Sequence, residues 1–457
     1  MLVQRVRDAA NAQVARRHLP FLLVLAAGLI LRVVTMLGFR PALWFPDSYT
    51  YVVTVLRPRP DLVRPAGYSM FMKLLEPLHS FGAVVAVQHL MGLAIGVMVY
   101  LAARRRKRWI ATLAAAPVLL DAYQIELEHL LVSDTLFMFL VVAAVVLSLR
   151  KELTWRVALA VGLLLAAATL TRTVGQPLIV VLACWFLLRR RIGAAGIMLA
   201  AAVIPVIAYM GWFHATYHRV GLVGANGVFL YARAQSFADC AEMDPPPDLR
   251  VLCDPRPPSQ RPPSQEYIWS KDSPLVALPG ITFSAANDDL AGRFAMLAIR
   301  SQPIDYAGSI LDELVRTFTW GRPVYPDQEV YDYYEFPSAT PPPPGRYAAQ
   351  VGADFARQYQ RGPIDTQVVE PFAGWMRAYQ DLARLPGTVL LLLLLVPPVL
   401  AFRRYGSAAW LAPWATGIVL LVVPAAVAEF DYRYVLPAVP LACLGAALAT
   451  PKRQQES

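Results

Sequence analysis

Charge is what this chain has least of. Only 16% of its 457 residues are Asp, Glu, Lys or Arg, while 57% are hydrophobic. A water-soluble protein of this size has no interior large enough for that much apolar surface, so the composition excludes a soluble enzyme and points to a polytopic membrane protein. Histidine is scarce, at six residues, and His129 has no partner at metal-ligand spacing. There is no Gly-rich phosphate loop, no His-Glu-x-x-His and no Gly-x-Ser-x-Gly, which removes nucleotide hydrolysis, zinc proteolysis and serine esterase chemistry in their common forms. The four cysteines are too few for a disulfide framework. Cys184 and Cys443 fall in apolar runs as small core residues, whereas Cys240 and Cys253 fall in a long polar stretch and close a short loop, the pattern of a disulfide in an oxidising compartment.

What is present is a ladder of apolar runs separated by short basic clusters. The formal charge of +10 lies in those clusters, as on cytoplasmic loops, and is not a nucleic-acid footprint. Residues 1–19 form a basic amphipathic stretch (Arg5, Arg7, Arg16, Arg17) suited to an anionic lipid surface. The first run, 20–38, lacks a cleavage site and stays as an anchor. A polar excursion over 39–80 carries two interfacial helices. Further spans follow at about 81–103, 109–122, 130–149 and 155–171, then two more up to residue 212. A Pro-rich polar segment occupies 213–385, and three spans over 386–449 lead to a tail at 450–457. The expected fold is therefore all-α, with about ten transmembrane helices. Within 213–385, extended coil is expected around the prolines, with helical patterns near 288–301 and 303–318.

Parity supports this map. With both termini cytoplasmic, Arg104–Arg108, Arg150-Lys151, Arg189–Arg191, Arg403-Arg404 and Lys452-Arg453 all fall inside. Asp47, Glu126, Glu128, Arg172, the long polar segment, Asp431 and Arg433 all fall outside. Arginine outnumbers lysine and alanine is abundant, a bias of high-G+C bacteria, so the expected location is a bacterial plasma membrane.

Leu43-Trp44-Phe45-Pro46-Asp47-Ser48-Tyr49-Thr50-Tyr51 is the stretch with most chemical promise. Pro46 suits a first helical turn and Asp47 the positive end of that helix, and the flanking aromatics suit the lipid–water boundary. A capped interfacial helix without chemistry fits the stretch equally well. Apolar neighbours are expected to raise the Asp47 pKa toward that of a useful base. Other acids on the same side are Asp121, Glu126, Glu128, Asp134 and Asp431. Glu126 and Glu128 are two apart and cannot share a helical face. Arg64, Arg172 and Arg433 stand at span ends, with Lys73 as a weaker fourth cation, and each either snorkels or binds a phosphate.

Asp47-Ser48, Arg64-Pro65-Ala66-Gly67-Tyr68, Glu126 through Phe137, Thr171-Arg172 and Asp431 through Pro437 together resemble integral-membrane GT-C glycosyltransferases. The similarity is greatest to the group that holds protein O-mannosyltransferases and lipid A aminoarabinose transferases. The resemblance implies a seven-span module (20–212), a long extracytoplasmic loop region and three further spans. It also implies a polyprenyl-phosphate-linked sugar as donor, and a glycan, lipid or protein as acceptor. Asp47 matches the family's catalytic base, Glu128 and Asp121 are next for orienting acceptor or metal, and Arg64, Arg172, Arg433 and Lys73 are placed to hold the donor phosphate. A lone acid at 47, where several members have a pair, is a poor site for the divalent metal that is otherwise possible. The competing expectations are a transporter or flippase of lipid-linked saccharides, which would carry midplane charges and internal repeats, and an envelope polysaccharide polymerase or ligase.

Overall fold

The computed structural model describes residues 2–341, 347–402 and 408–451, with the side chains of 18–341, 349–402 and 408–451. Arg5, Arg7, Arg16, Arg17, Pro342–Pro344, Arg403-Arg404 and Lys452-Arg453 lie outside the described side chains. The basic stretch and the first span form one helix, α1 (Leu2–Gly38). The first polar excursion supplies α2 (Pro46–Leu56) and α3 (Gly67–Leu75), the two helices expected there. Then come α4 (Phe81–Ala103), α5 (Arg108–Leu120), α6 (Ala122–His129), α7 (Asp134–Ser148), α8 (Trp155–Thr171), α9 (Gly175–Leu188) and α10 (Ile192–Tyr217).

Every expected apolar run is helical. Among the described residues, five stretches are long and apolar enough to cross a membrane alone: His18–Gly38, Phe81–Ala103, Ile192–Tyr217, Ala408–Val427 and Tyr432–Ala449. A sixth is the pair α5 and α6, bent by 48°. The bend falls at Asp121, whose carboxylate accepts from the backbone of Tyr123 (2.9 Å) and Gln124 (3.0 Å) and so starts a new helix there. Four apolar helices of 10–17 residues complete the set.

The polar segment is more ordered than its prolines suggest. It folds into α11 (Asn226–Ala234), α12 (Cys240–Met243), α13 (Pro247–Arg250), α14 (Glu266–Trp269), α15 (Ala285–Ser301), α16 (Pro303–Thr317), α17 (Gln328–Asp332), α18 (Tyr347–Gln360) and α19 (Phe372–Gln380). Several prolines take the first helical turn, where their missing N–H costs nothing. Tyr231, Phe294, Tyr267 and Leu275 give this segment a hydrophobic core of its own, and Cys240 is disulfide-bonded to Cys253 at its edge. The chain ends with α20 (Gly387–Phe402), α21 (Leu411–Val427), α22 (Tyr432–Val435) and α23 (Val439–Ala449). Helix α23 is buried on all sides, as a helix apolar all round should be.

Two small pairings fix the first excursion against its neighbours. Strand β1 (Phe39–Arg40) pairs antiparallel with β2 (Gln367–Val368) from the polar segment. Leu43 exchanges backbone hydrogen bonds with His129 and Leu131 (3.1 Å each). Asp47 is thereby held between the α6–α7 connection and the polar segment.

Candidate active site

Asp47 stands in the first turn of α2, where Phe45 N donates to Ser48 Oγ (3.0 Å) and Ser48 Oγ donates to Leu131 O (2.8 Å). Both its carboxylate oxygens face guanidinium groups. Arg64 donates to Oδ1, and Arg433 Nη1 donates to Oδ2 at 3.0 Å. Arg64 is set by a tight local turn in which Asp61 Oδ1 accepts from Val63 N and Arg64 N, both at 2.8 Å. Arg433 is set by Asp431, which caps α22 and accepts from Arg433 Nε at 2.9 Å, and it lies over the Phe45 ring at 4.4 Å. Tyr334 OH donates to Asp431 in turn.

Asp134, the first residue of α7, pairs with Arg172 at the end of α8, and its second oxygen lies 4.0 Å from Arg433. Three carboxylates and three guanidiniums drawn from four distant parts of the chain thus form one neutral network. Asp47, Arg64, Arg433 and Asp431 line a cavity of about 670 Å³. The opposite wall comes from the polar segment and includes Phe229, Gln265, Ile268, Trp269 and Lys271. Arg172 and Asp134 stand off the cavity beside Arg433, with Arg172 over the Tyr434 ring at 5.0 Å.

The expected upward shift at Asp47 does not occur. Burial alone would raise its pKa, but the charges of Arg64 and Arg433 outweigh burial and hold the carboxyl well below the usual range. In this resting arrangement it is an ion-pair partner rather than a ready base.

The remaining acids go elsewhere. Glu128 forms a two-pronged pair with Arg32 of α1, Nε to Oε2 and Nη2 to Oε1, both 2.7 Å. His89 of α4 reaches the same carboxylate at 2.9 Å and His129 at 3.0 Å, and His129 reaches the carbonyl of Phe39 at 2.6 Å. All four residues are buried. A Cβ on Gly92 would collide with the Glu128 carboxylate, so the glycine makes room for it. This network includes Arg32 and His89, which stand within the candidate spans His18–Gly38 and Phe81–Ala103. Its partner Arg32 went unnoticed because a lone Arg near a span end looks like a snorkelling one. Asp121 is the helix cap described above and also accepts from Leu385 N at 2.6 Å. Glu126 accepts from Gln380 at 2.9 Å and its other oxygen has no partner among the described residues. Lys73 pairs with Glu76, just past the end of α3.

Sequence reasoning passed over Glu429, which is on the cavity wall. Its oxygens accept from Ser264 N and Gln265 N (both 3.0 Å) and from Tyr325 OH (3.2 Å), and burial pushes it up to about 7. The signal available was its place two residues before Asp431. Arg233 and Lys271, also on the wall, sit in no local motif at all.

A divalent cation has little to bind here. Among the described residues no three His, Cys, Asp or Glu are grouped to hold one, and Asp47, Asp134 and Asp431 already face guanidinium charge.

Neither a protein-family model nor a curated protein matches the sequence. Among the solved structures similar to this chain are crystal structures of ArnT from Cupriavidus metallidurans, one bound to undecaprenyl phosphate and one in the apo state. Each is 15% identical at a TM-score of 0.35; they cover 94% and 96% of this chain and 76% and 77% of their own. At that distance the geometry of the Asp47 cavity must carry the functional reading.

Proposed function

We propose that this chain is an integral-membrane glycosyltransferase of GT-C type, moving a sugar from a polyprenyl-phosphate carrier to a hydroxyl on an extracytoplasmic acceptor, with inversion. The observation that carries this reading is a single carboxylate flanked by two arginines on the wall of a large cavity between the spans and the polar segment.

The chemistry follows from that arrangement. The acceptor oxygen attacks the anomeric carbon, Asp47 takes its proton, and the bond from that carbon to the phosphate oxygen breaks. The phosphate departs as a stable anion, so cations suffice and no acid need protonate it. Arg64 and Arg433 serve two states. Before the donor arrives they neutralise Asp47. A bound phosphate competes for the same guanidiniums, and as their hold on Asp47 loosens, its basicity rises toward what proton abstraction requires. Donor binding and base activation are thus one event. Arg172, paired with Asp134 off the cavity, positions Arg433 by sharing its carboxylate neighbour. Trp269 offers a ring to a sugar face, and Lys271 supplies a cation with no ion pair among the described residues.

The transporter or flippase reading gains one point, the charged network of Arg32, Glu128 and His89 inside the spans. That network is sealed rather than water-lined, and a translocation path has to be wet.

The test is Asp47→Asn, assayed with a labelled polyprenyl-phosphate sugar and with lipid-phosphate binding measured in parallel. Transfer is expected to fall about 10²–10⁴-fold, the usual worth of a general base, with binding retained. Transfer at the unmodified rate would overturn the mechanism, and movement of intact donor across proteoliposomes without transfer would favour the flippase.

A further inference from the structure

Helix α16 exposes the wrong face for a protein surface in water. Ile304, Leu311 and Val315 are 84%, 62% and 65% exposed, and with Ala307 and Gly308 they recur at three- and four-residue steps along one side. Trp320, just past the helix, is also exposed. Asp305, Asp312 and Arg316 border the stripe on one flank. The opposite side is fastened down. Tyr306 OH donates to Ala426 O (3.0 Å), Arg233 bridges Ser309 Oγ (2.9 Å) and Ala425 O (3.0 Å), and Glu313 accepts from Phe430 N (2.9 Å). Every one of these anchors falls at one end of α21.

The same end of the bundle receives the start of α20. A Cβ on Gly387 would collide with the carbonyl of Thr317, so the last turn of α16 abuts the first turn of that span. Helix α20 carries its own exposed apolar residues, Leu392, Leu395 and Val399, as a lipid-facing span does. The apolar stripe of α16 therefore continues the lipid-facing surface of α20 at the level where two spans meet the polar segment. Tryptophan beside such a stripe is the usual marker of the headgroup level.

We infer that α16 is a bilayer-surface helix: its Ile304–Leu311–Val315 face lies in the acyl–headgroup boundary of the leaflet on the polar-segment side. Its seating also braces the cavity wall. Glu313 of α16 accepts from Tyr325 OH (3.1 Å), Tyr325 OH reaches Glu429, and Glu429 holds the backbone of Ser264 and Gln265. The inference depends on the spans crossing a membrane and is independent of the transferase reading.

Spin labels at Leu311→Cys and Val315→Cys, in the full chain with Cys184→Ala and Cys443→Ala, test it in lipid nanodiscs. Asp289→Cys on the exposed side of α15 is the reference. Labels at 311 and 315 are expected to collide with dissolved oxygen and to be shielded from a water-soluble nickel chelate, with the reverse at 289. Nickel access at 311 and 315 would overturn the assignment by placing the face in water. Shielding from both probes, with cross-linking between copies, would overturn it in favour of a second chain as the cover. Brominated lipids give a reading on the otherwise unmodified protein: quenching should drop on Trp320→Phe, and an unchanged quench would count against the headgroup level.

Discussion

Two of the arginine-bound carboxylates of this molecule, Asp47 and Glu128, differ in what can reach them. Asp47 and Glu128 each face guanidinium groups at hydrogen-bond distance. Glu128 is sealed between α1, α4 and α6, with His89 and Gln124 completing its shell (Gln124 Nε2 at 3.1 Å), so nothing can exchange with it. Asp47 looks into a cavity large enough for a sugar, and its arginines can trade partners. A charge pair with no access to water is a fastening; on the proposed reading, the same pair on a cavity wall exchanges its partner for the donor phosphate.

The largest test of this contrast is stability. Glu128→Ala leaves Arg32 buried without its carboxylate, and breaking such a pair costs about 3–5 kcal/mol. Asp47→Asn leaves two arginines at a cavity, where water can solvate them, and should cost far less. The expected result in thermal unfolding of the detergent-solubilised protein is a steep loss of melting temperature for Glu128→Ala and a small one for Asp47→Asn. Comparable losses would erase the distinction. Because His129 ties the Glu128 network to the Phe39 carbonyl ahead of the Asp47 loop, surviving Glu128→Ala protein should also transfer more slowly.

The sequence announced the spans because apolar runs with basic punctuation are a one-dimensional signal. Asp47, Arg64, Arg172 and Arg433 were legible for a related reason: each stands just beyond a span end or on an interfacial stretch, where a charge asks for an explanation. Partner choice was not legible. Nothing in Glu126-Leu127-Glu128 says that Glu128 meets Arg32, 96 residues away, while Glu126 meets Gln380. The direction of the Asp47 shift failed for the same cause, since aromatic neighbours are local but the two arginines arrive through tertiary structure. The core of the polar segment was hidden because prolines that look like breakers instead start short helices.

Glu429 sharpens the comparison as an intermediate case, a carboxylate on the same cavity with no arginine ion pair among the described residues. Here burial prevails over the backbone donors, and Glu313 nearby adds to the rise to about 7. A folded pKa above the free value of about 4.3 means that the native state takes the proton more readily than the unfolded one. The resulting stabilisation is complete below about pH 4.3 and is lost as pH rises through 7. Melting temperature should therefore decline between about pH 5 and 8 more in the unmodified protein than in Glu429→Gln, which cannot titrate. Identical slopes would mean that Glu429 is already ionised across the range. Asp47 gives the opposite sign: held low by Arg64 and Arg433, it stabilises the fold above about pH 3.9 and releases that only in stronger acid.

Lys73 marks the far edge of the comparison and the smallest effect. It carries the same charge as the cavity arginines and sits on α3, close in sequence to Arg64, which is why it looked like a phosphate ligand. Its ammonium instead pairs with Glu76 one turn along, half-exposed, away from the cavity wall. A surface pair of that kind is worth about 0.2–1 kcal/mol. Lys73→Ala should leave melting temperature nearly unchanged and move the donor KM by less than about twofold, since a loss below roughly 0.4 kcal/mol is less than a doubling. A clear rise in KM with kcat intact would put α3 in contact with the donor. The boundary between the anion-exchanging wall and the merely charged surface would then lie one helix further out than Arg64.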